Sequence, residues 1–181
     1  MLNKSIQILF LFLCSTTLVE AQTVLQTKSA NIQFFSSTSV EDIEAVNNQG
    51  ISKLDPKTGQ VQFQLLIKGF SFENELMQKH FNEEYLESNK FPKSEYKGLI
   101  TNIKSINFAK DGAYPTSTEG NITIHGISQK VKANGTITVA KKKASLKAVF
   151  KIKLKDFGIT GDEIGKSISN ELEIKVNCKY D

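Results

Sequence analysis

The sequence predicts an all-β fold: an antiparallel sheet of about eight strands, interrupted by one helical insertion at about residues 73–88. Three observations carry this. Most of the chain alternates apolar and polar residues with period two. Short clusters of Gly, Pro, Asp and Lys cut that pattern into strand-length pieces. Residues 71–97 drop the alternation and place Leu76, Met77, Phe81, Tyr85 and Leu86 at helical spacing.

The 181 residues suffice for one domain with a sizeable core, and 39% apolar against 23% charged residues is a globular composition. The net charge is +4, and every one of the 23 basic residues is Lys. A chain without Arg lacks the planar fork that reads phosphate and guanine, so no nucleic-acid partner is expected. Lys4, the apolar run 6–13 and the small residues around Val19 and Ala21 read as a secretory signal cleaved after Ala21. The expected domains are therefore a signal peptide, 1–21, and a mature barrel domain, 22–181. The run is too short for a transmembrane segment. Leu13 stands before Cys14 where a lipobox needs a small residue, so lipid attachment is not expected. Cleavage leaves Cys178 as the lone cysteine, which excludes an internal disulfide and a cysteine-based zinc site.

In chain order, strands are expected at 24–35, 40–54 and 60–70, with a turn at 55–59 where Pro56 presets φ and Gly59 supplies the positive-φ position. Ser71 is the expected helix start, and Asn89 and Pro92 mark its end. Strands follow at 95–108, 114–124, 127–140, 144–157 and 171–180. A phase slip between Ile103 and Ile106 predicts a β-bulge or a bend. In 144–157, Leu146, Ala148, Phe150, Ile152 and Leu154 alternate with Lys147, Lys151, Lys153 and Lys155, so one face is buried and one wet. Such a sheet removes its edges by closing into a barrel, and a two-sheet sandwich is the competing arrangement.

Catalytic signals are thin. His80 and His125 lie in different elements, and no HExxH, GxSxG, phosphate loop or GxGxxG occurs. His80, on the helix, is the candidate polar contact for a ligand head group; His125, before Gly126, is expected to bond backbone at a turn. Glu83, Glu84 and Glu87, and Asp162 with Glu163, read as solvated carboxylates rather than an acid–base pair. No enzyme, metal or cofactor is expected. An apolar interior, an amphipathic covering helix and secretion suit a carrier of an apolar molecule. The expected lining is Phe63, Leu65, Ile67, Met77, His80, Phe81, Phe150, Ile152 and Leu154.

Several stretches resemble the YceI-like family of secreted bacterial proteins. These are Met77-Gln78-Lys79-His80-Phe81-Asn82, Tyr85-Leu86-Glu87, Lys90-Phe91-Pro92 and Glu95-Tyr96-Lys97-Gly98. Gly120-Asn121-Ile122-Thr123-Ile124-His125-Gly126-Ile127 with Val131, and Asp156-Phe157-Gly158-Ile159, follow in the family's order. The resemblance implies an eight-stranded antiparallel lipocalin-like barrel. It further implies a periplasmic or secreted protein binding a long-chain polyisoprenoid or quinone-like lipid in the barrel tunnel. A homodimer is compatible with that picture. Lys153 and Lys155 stand where family members often carry Arg. The alternative reading is a stress-related structural protein with a packed core and no ligand.

Overall fold

The computed structural model describes residues 24–180. The expected signal segment, 1–21, lies outside them. Nine strands form among the described residues: β1 (Leu25–Ser37), β2 (Asp42–Leu54), β3 (Gln60–Leu66), β4 (Ser71–Phe72), β5 (Lys93–Ile100), β6 (Gly112–Ile124), β7 (Ile127–Ala140), β8 (Lys143–Lys153) and β9 (Glu171–Lys179). The sheet order β1-β9-β8-β7-β6-β5-β3-β2 is closed by pairing of β1 with β2, so eight antiparallel strands make a barrel without free edges. The two-residue β4 rides on β2 through Ala45 and Val46.

Turn chemistry sets the register. At residues 55–59, Asp55 Oδ1 accepts from the Lys57 N–H, and Gly59, at φ +80°, donates back to the Asp55 carbonyl at 2.8 Å. His125-Gly126 and Lys141-Lys142 are two-residue turns with positive φ at both positions, the twist that matches a hairpin. They pin Ile124 against Ile127 and Ala140 against Lys143. Gly98 and Gly120 face each other across β5 and β6. A Cβ at Gly120 would fall 2.4 Å from the Lys97 carbonyl oxygen, so only glycine allows this close approach.

One end of the barrel is a packed floor. Leu54, Ile100, Ile137, Val139 and Tyr180 are almost completely buried there, and the Tyr180 hydroxyl bonds Ser52 Oγ at 3.0 Å. The other end carries the β1–β2 turn, helix α1 (Glu75–His80), the hairpin at His125 and the segment between β8 and β9.

Three expected strands are shorter than their patterns. The stretch 60–70 leaves the sheet at Leu66 and makes a 3-10 turn at Ile67–Gly69, while 144–157 does the same at Leu154–Phe157. Beyond β5 the expected bulge or bend is a 3-10 turn at Ile103–Ser105, outside the sheet. The helix begins later than expected: Ser71 belongs to β4, and Asn74 caps α1, its Oδ1 accepting from the Leu76 and Met77 N–H groups at 2.8 and 3.2 Å. After His80 the helix widens into a π turn, Phe81–Tyr85, in which the Leu86 N–H reaches the Phe81 carbonyl at 2.9 Å.

Candidate ligand chambers

The inward residues of a period-two strand must fill the barrel, and here they do not fill it completely. An inner chamber of about 140 Å³ lies between the floor and the mouth. Its wall combines Val61, Phe63 and Leu65 of β3, Ile122 and Ile124 of β6, Ala148, Phe150 and Ile152 of β8, and Ile174 and Val176 of β9. The few polar groups on it are mostly spent: Tyr96 Oη bonds Thr118 Oγ1 at 2.9 Å, and Ser94 Oγ donates to the Thr123 carbonyl at 3.0 Å. Burial raises the Tyr96 phenol above its usual range, with Glu119 adding to the shift and the Thr118 bond opposing it.

A second chamber of about 290 Å³ lies outward of the first, beneath α1 and the π turn. Phe72, Leu76, Met77, Tyr85 and Ile168 give it an apolar body. Its polar lining is Ser36, Glu41, Asn74, His80, Glu163 and Ser167. Burial raises the Tyr85 phenol, and the Glu163, Glu84 and Asp162 carboxylates push it further in the same direction.

Phe34, Phe81, Leu86, Leu154, Ile159 and Leu172 line both chambers and form the partition between them. Its centre is an aromatic cluster. The Phe81 ring stacks on Phe34 at 5.5 Å and meets Phe70 at 5.6 Å and Phe72 at 5.0 Å. Such offset and tilted pairs are individually favourable, so the partition is a defined contact rather than loose filling.

The expected lining residues divide between these spaces. Phe63, Leu65, Ile67, Phe150 and Ile152 border the inner chamber, Met77 and His80 the outer one, and Phe81 and Leu154 both. His80 is half-exposed, with Nε2 3.8 Å from Glu84 Oε1. The pattern missed Phe34, Phe70, Phe72, Tyr96, Glu41 and Glu163. Phe34 shares a face with Ile32 in β1, which was the available signal. Glu163 is exposed, as expected of a solvated carboxylate, yet it accepts from Ser167 Oγ at 2.6 Å and borders the outer chamber.

His125 does more than brace its turn. Its Nδ1 lies 3.3 Å from the Phe157 carbonyl and its Nε2 2.7 Å from Glu87 Oε2. The Phe91 ring packs edge-on against the imidazole at 4.5 Å. This contact ties the segment after the π turn to the β6–β7 hairpin. The His125 hydrogen bond, with help from Lys90, holds the Glu87 carboxyl below its usual range. Cys178 is fully buried in the floor, and burial pushes its thiol up to about 12, so it is an inert core residue.

A closed barrel with two apolar chambers in line behind a helix-covered mouth defines the class: a barrel built around an internal cavity. Within that class the chain belongs to the YceI-like domain family, which matches residues 19–180. No curated protein matches it in sequence. Among solved structures it is similar to BcnA of Burkholderia cenocepacia, at TM-score 0.69 and 16% identity, covering 82% of this chain and 94% of that one. It is also similar to a polyisoprenoid binding domain from Saccharophagus degradans implicated in plant cell wall breakdown, at TM-score 0.73 and 9% identity over 87% and 97% of the two chains. A Campylobacter jejuni YceI protein follows at TM-score 0.57 and 16% identity over 80% and 89%. At these identities the likeness is one of fold.

Proposed function

We propose that this protein is a non-enzymatic binding protein for a long-chain polyisoprenoid or similar amphiphile, secreted or periplasmic after removal of residues 1–21. The observation that carries the reading is the pair of apolar chambers in line from floor to mouth. A tail in the inner chamber would lie against Phe63, Leu65, Ile67, Phe150, Ile152 and Leu154, with Phe81 at its neck. Met77 and His80 would meet the part nearer the head. Each 100 Å² of tail surface removed from water contributes about 2.5 kcal/mol, less the cost of ordering the chain. Membership of the YceI-like family and likeness to a polyisoprenoid binding domain support an apolar ligand. An inner chamber of about 140 Å³ is the size of an engineered protein cavity that takes one benzene, so a long tail must displace the partition.

The test is organic extraction of the purified mature protein followed by mass spectrometry, with titration of prenols of increasing length. Co-purified prenyl lipid, or saturable binding that strengthens with chain length, is the expected result. No lipid and no binding at any length would leave a structural protein without a ligand as the better account.

A further inference from the structure

The floor end of the barrel carries a charge pattern that tail binding does not use. Three connections close that end: residues 55–59 between β2 and β3, 101–111 between β5 and β6, and the Lys141-Lys142 turn between β7 and β8. They form one continuous rim. A Cβ on Gly59 would lie 2.9 Å from the Ile100 carbonyl oxygen and 3.0 Å from Ile103 Cβ, so the first connection abuts the second. Asp111 Oδ1 accepts from the Lys141 N–H at 3.0 Å, which joins the second to the third. The Tyr180 N–H donates to the Ala144 carbonyl at 2.9 Å and brings the end of β9 beside them.

The rim is basic. Lys57 stands on the first connection, Lys104 and Lys110 on the second, and Lys141 and Lys142 on the third, with Lys53, Lys143 and Lys179 on the adjoining strand ends. All are exposed, and none is in an ion pair among the described residues. The carboxylates among them are Asp55 and Asp111, and Asp181 follows Tyr180 in the sequence. Asp55 is held by Thr58 Oγ1 and the Lys57 N–H, both at 2.8 Å, as Asp111 is by the Lys141 N–H. The mouth differs in kind. Residues 67–92 carry Lys68, Lys79 and Lys90 among five glutamates, and 154–170 carry Lys155 and Lys166 among Asp156, Asp162 and Glu163. Lys93 and Lys153 open β5 and close β8, and Lys153 is opposite Glu171. Thirteen-residue strands such as β1 and β2 separate the two ends by up to roughly 40 Å. That is several times the screening length of ~8 Å at physiological salt, so each end meets its surroundings separately.

None of the rim lysines lines either chamber, and the floor beneath them is packed. A discrete anion would need a pocket or the planar fork of Arg, and the rim offers neither. Point charges on flexible stems, spread over one end of a barrel, suit an extended anionic surface, where each lysine adds attraction without a fixed geometry. We propose that the floor end docks this protein on the surface of an anionic lipid bilayer, with the mouth turned away from it. No aromatic is among the exposed large hydrophobic residues described, so the contact is electrostatic rather than inserted. The docking does not depend on what the chambers hold.

The test is co-sedimentation of the mature protein with vesicles of phosphatidylcholine, alone or with roughly a third phosphatidylglycerol, in low and in near-molar salt. Binding to the anionic vesicles only, and its loss in high salt, is the expected result. A K57Q/K104Q/K142Q variant removes one lysine from each floor connection, and K79Q/K155Q/K166Q makes the same change in net charge at the mouth. Both are checked for an unchanged unfolding transition. The floor variant should partition about a hundredfold more weakly, at about fivefold per lysine, and the mouth variant within about twofold of wild type. Equal binding to both vesicles, binding that survives high salt, or equal losses in the two variants would overturn the proposal. So would retention on dextran sulfate without binding to anionic vesicles, which would make the rim a site for a polyanionic chain. Each of these outcomes leaves the tail-binding reading to be judged by lipid extraction alone.

Discussion

Phe81→Ala tests the partition directly. The ring makes three aromatic contacts, with Phe34, Phe70 and Phe72, each worth about 0.5–1.5 kcal/mol beyond area burial. A fully buried Phe→Ala change costs about 3–5 kcal/mol. Phe81 is only partly buried and borders open chambers on two sides, so the expected cost is nearer about 2 kcal/mol. In a domain of this size that lowers Tm by about 4–8 °C, read by circular dichroism during heating. The same change joins the chambers. If a long tail enters only when Phe81 swings away from its partners, that opening costs on the order of 1.5 kcal/mol. Its removal should speed association of a fluorescent long-chain prenol by about tenfold in stopped flow. A variant that loses the expected stability yet binds at the wild-type rate would refute the partition as a gate. One that melts within about 1 °C of wild type would refute the packing argument beneath it.

Other outcomes follow from single contacts. Gly120→Ala puts a Cβ 2.4 Å from the Lys97 carbonyl oxygen and 2.5 Å from Gly98 Cα, so backbone must move at a cost of about 1–3 kcal/mol in chemical denaturation. Gly112→Ala meets only the Tyr114 side chain at 3.2 Å and should cost distinctly less. The Glu87 carboxyl is held below its usual range by His125, so its contribution to stability is present above the unfolded carboxylate range and is lost as pH falls through the lower folded value. Glu87→Gln should therefore flatten the acid side of the Tm–pH curve; an unchanged acid limb would contradict the contact. In the chain beginning at Gln22, Cys178 should resist a thiol reagent at mildly alkaline pH until the protein unfolds, since its thiol lies near 12 and is fully buried.

The strands that carry most of the wall were legible because period two reports directly on an inward face. Val61, Phe63 and Leu65 in β3 and Ala148, Phe150 and Ile152 in β8 were readable from alternation alone and border the inner chamber. The strand ends were misread for one recurring reason. Ile67 and Phe70, Ile103 and Ile106, and Leu154 and Phe157 are each three residues apart and packed in the core. Each pair spans a 3-10 turn that leaves the sheet. In a 3-10 turn residues i and i+3 eclipse, so both enter the core while the strand period is broken. Read as a strand, the same spacing looks like extra length or a bulge. The partition was illegible for a different reason. Phe34, Phe70, Phe72 and Phe81 come from β1, the residue after the first 3-10 turn, β4 and the π turn. Only closure of the barrel through β1 and β2 brings them together.

The π turn completes that partition, and its geometry explains why the helical stripe alone did not reveal it. Residues five apart in an α-helix are about 140° round the axis from one another, because each residue advances the chain by 1/3.6 of a turn. On that basis Phe81 and Leu86 would stand at opposite edges of the apolar stripe rather than over one another. The wider turn, closed by the Leu86 N–H on the Phe81 carbonyl, accommodates the extra residue, and both side chains line both chambers. Leu86 is buried although no residue of Glu75–Tyr85 is. The segment is therefore held at both ends, by β4 on β2 before it and by Leu86 and the Glu87–His125 contact after it, and is half-exposed between them. Between those anchors α1 buries no residue, so shifting it breaks few buried contacts. That makes α1, with Met77 and His80 on the outer chamber, the side of the mouth where a tail would pass.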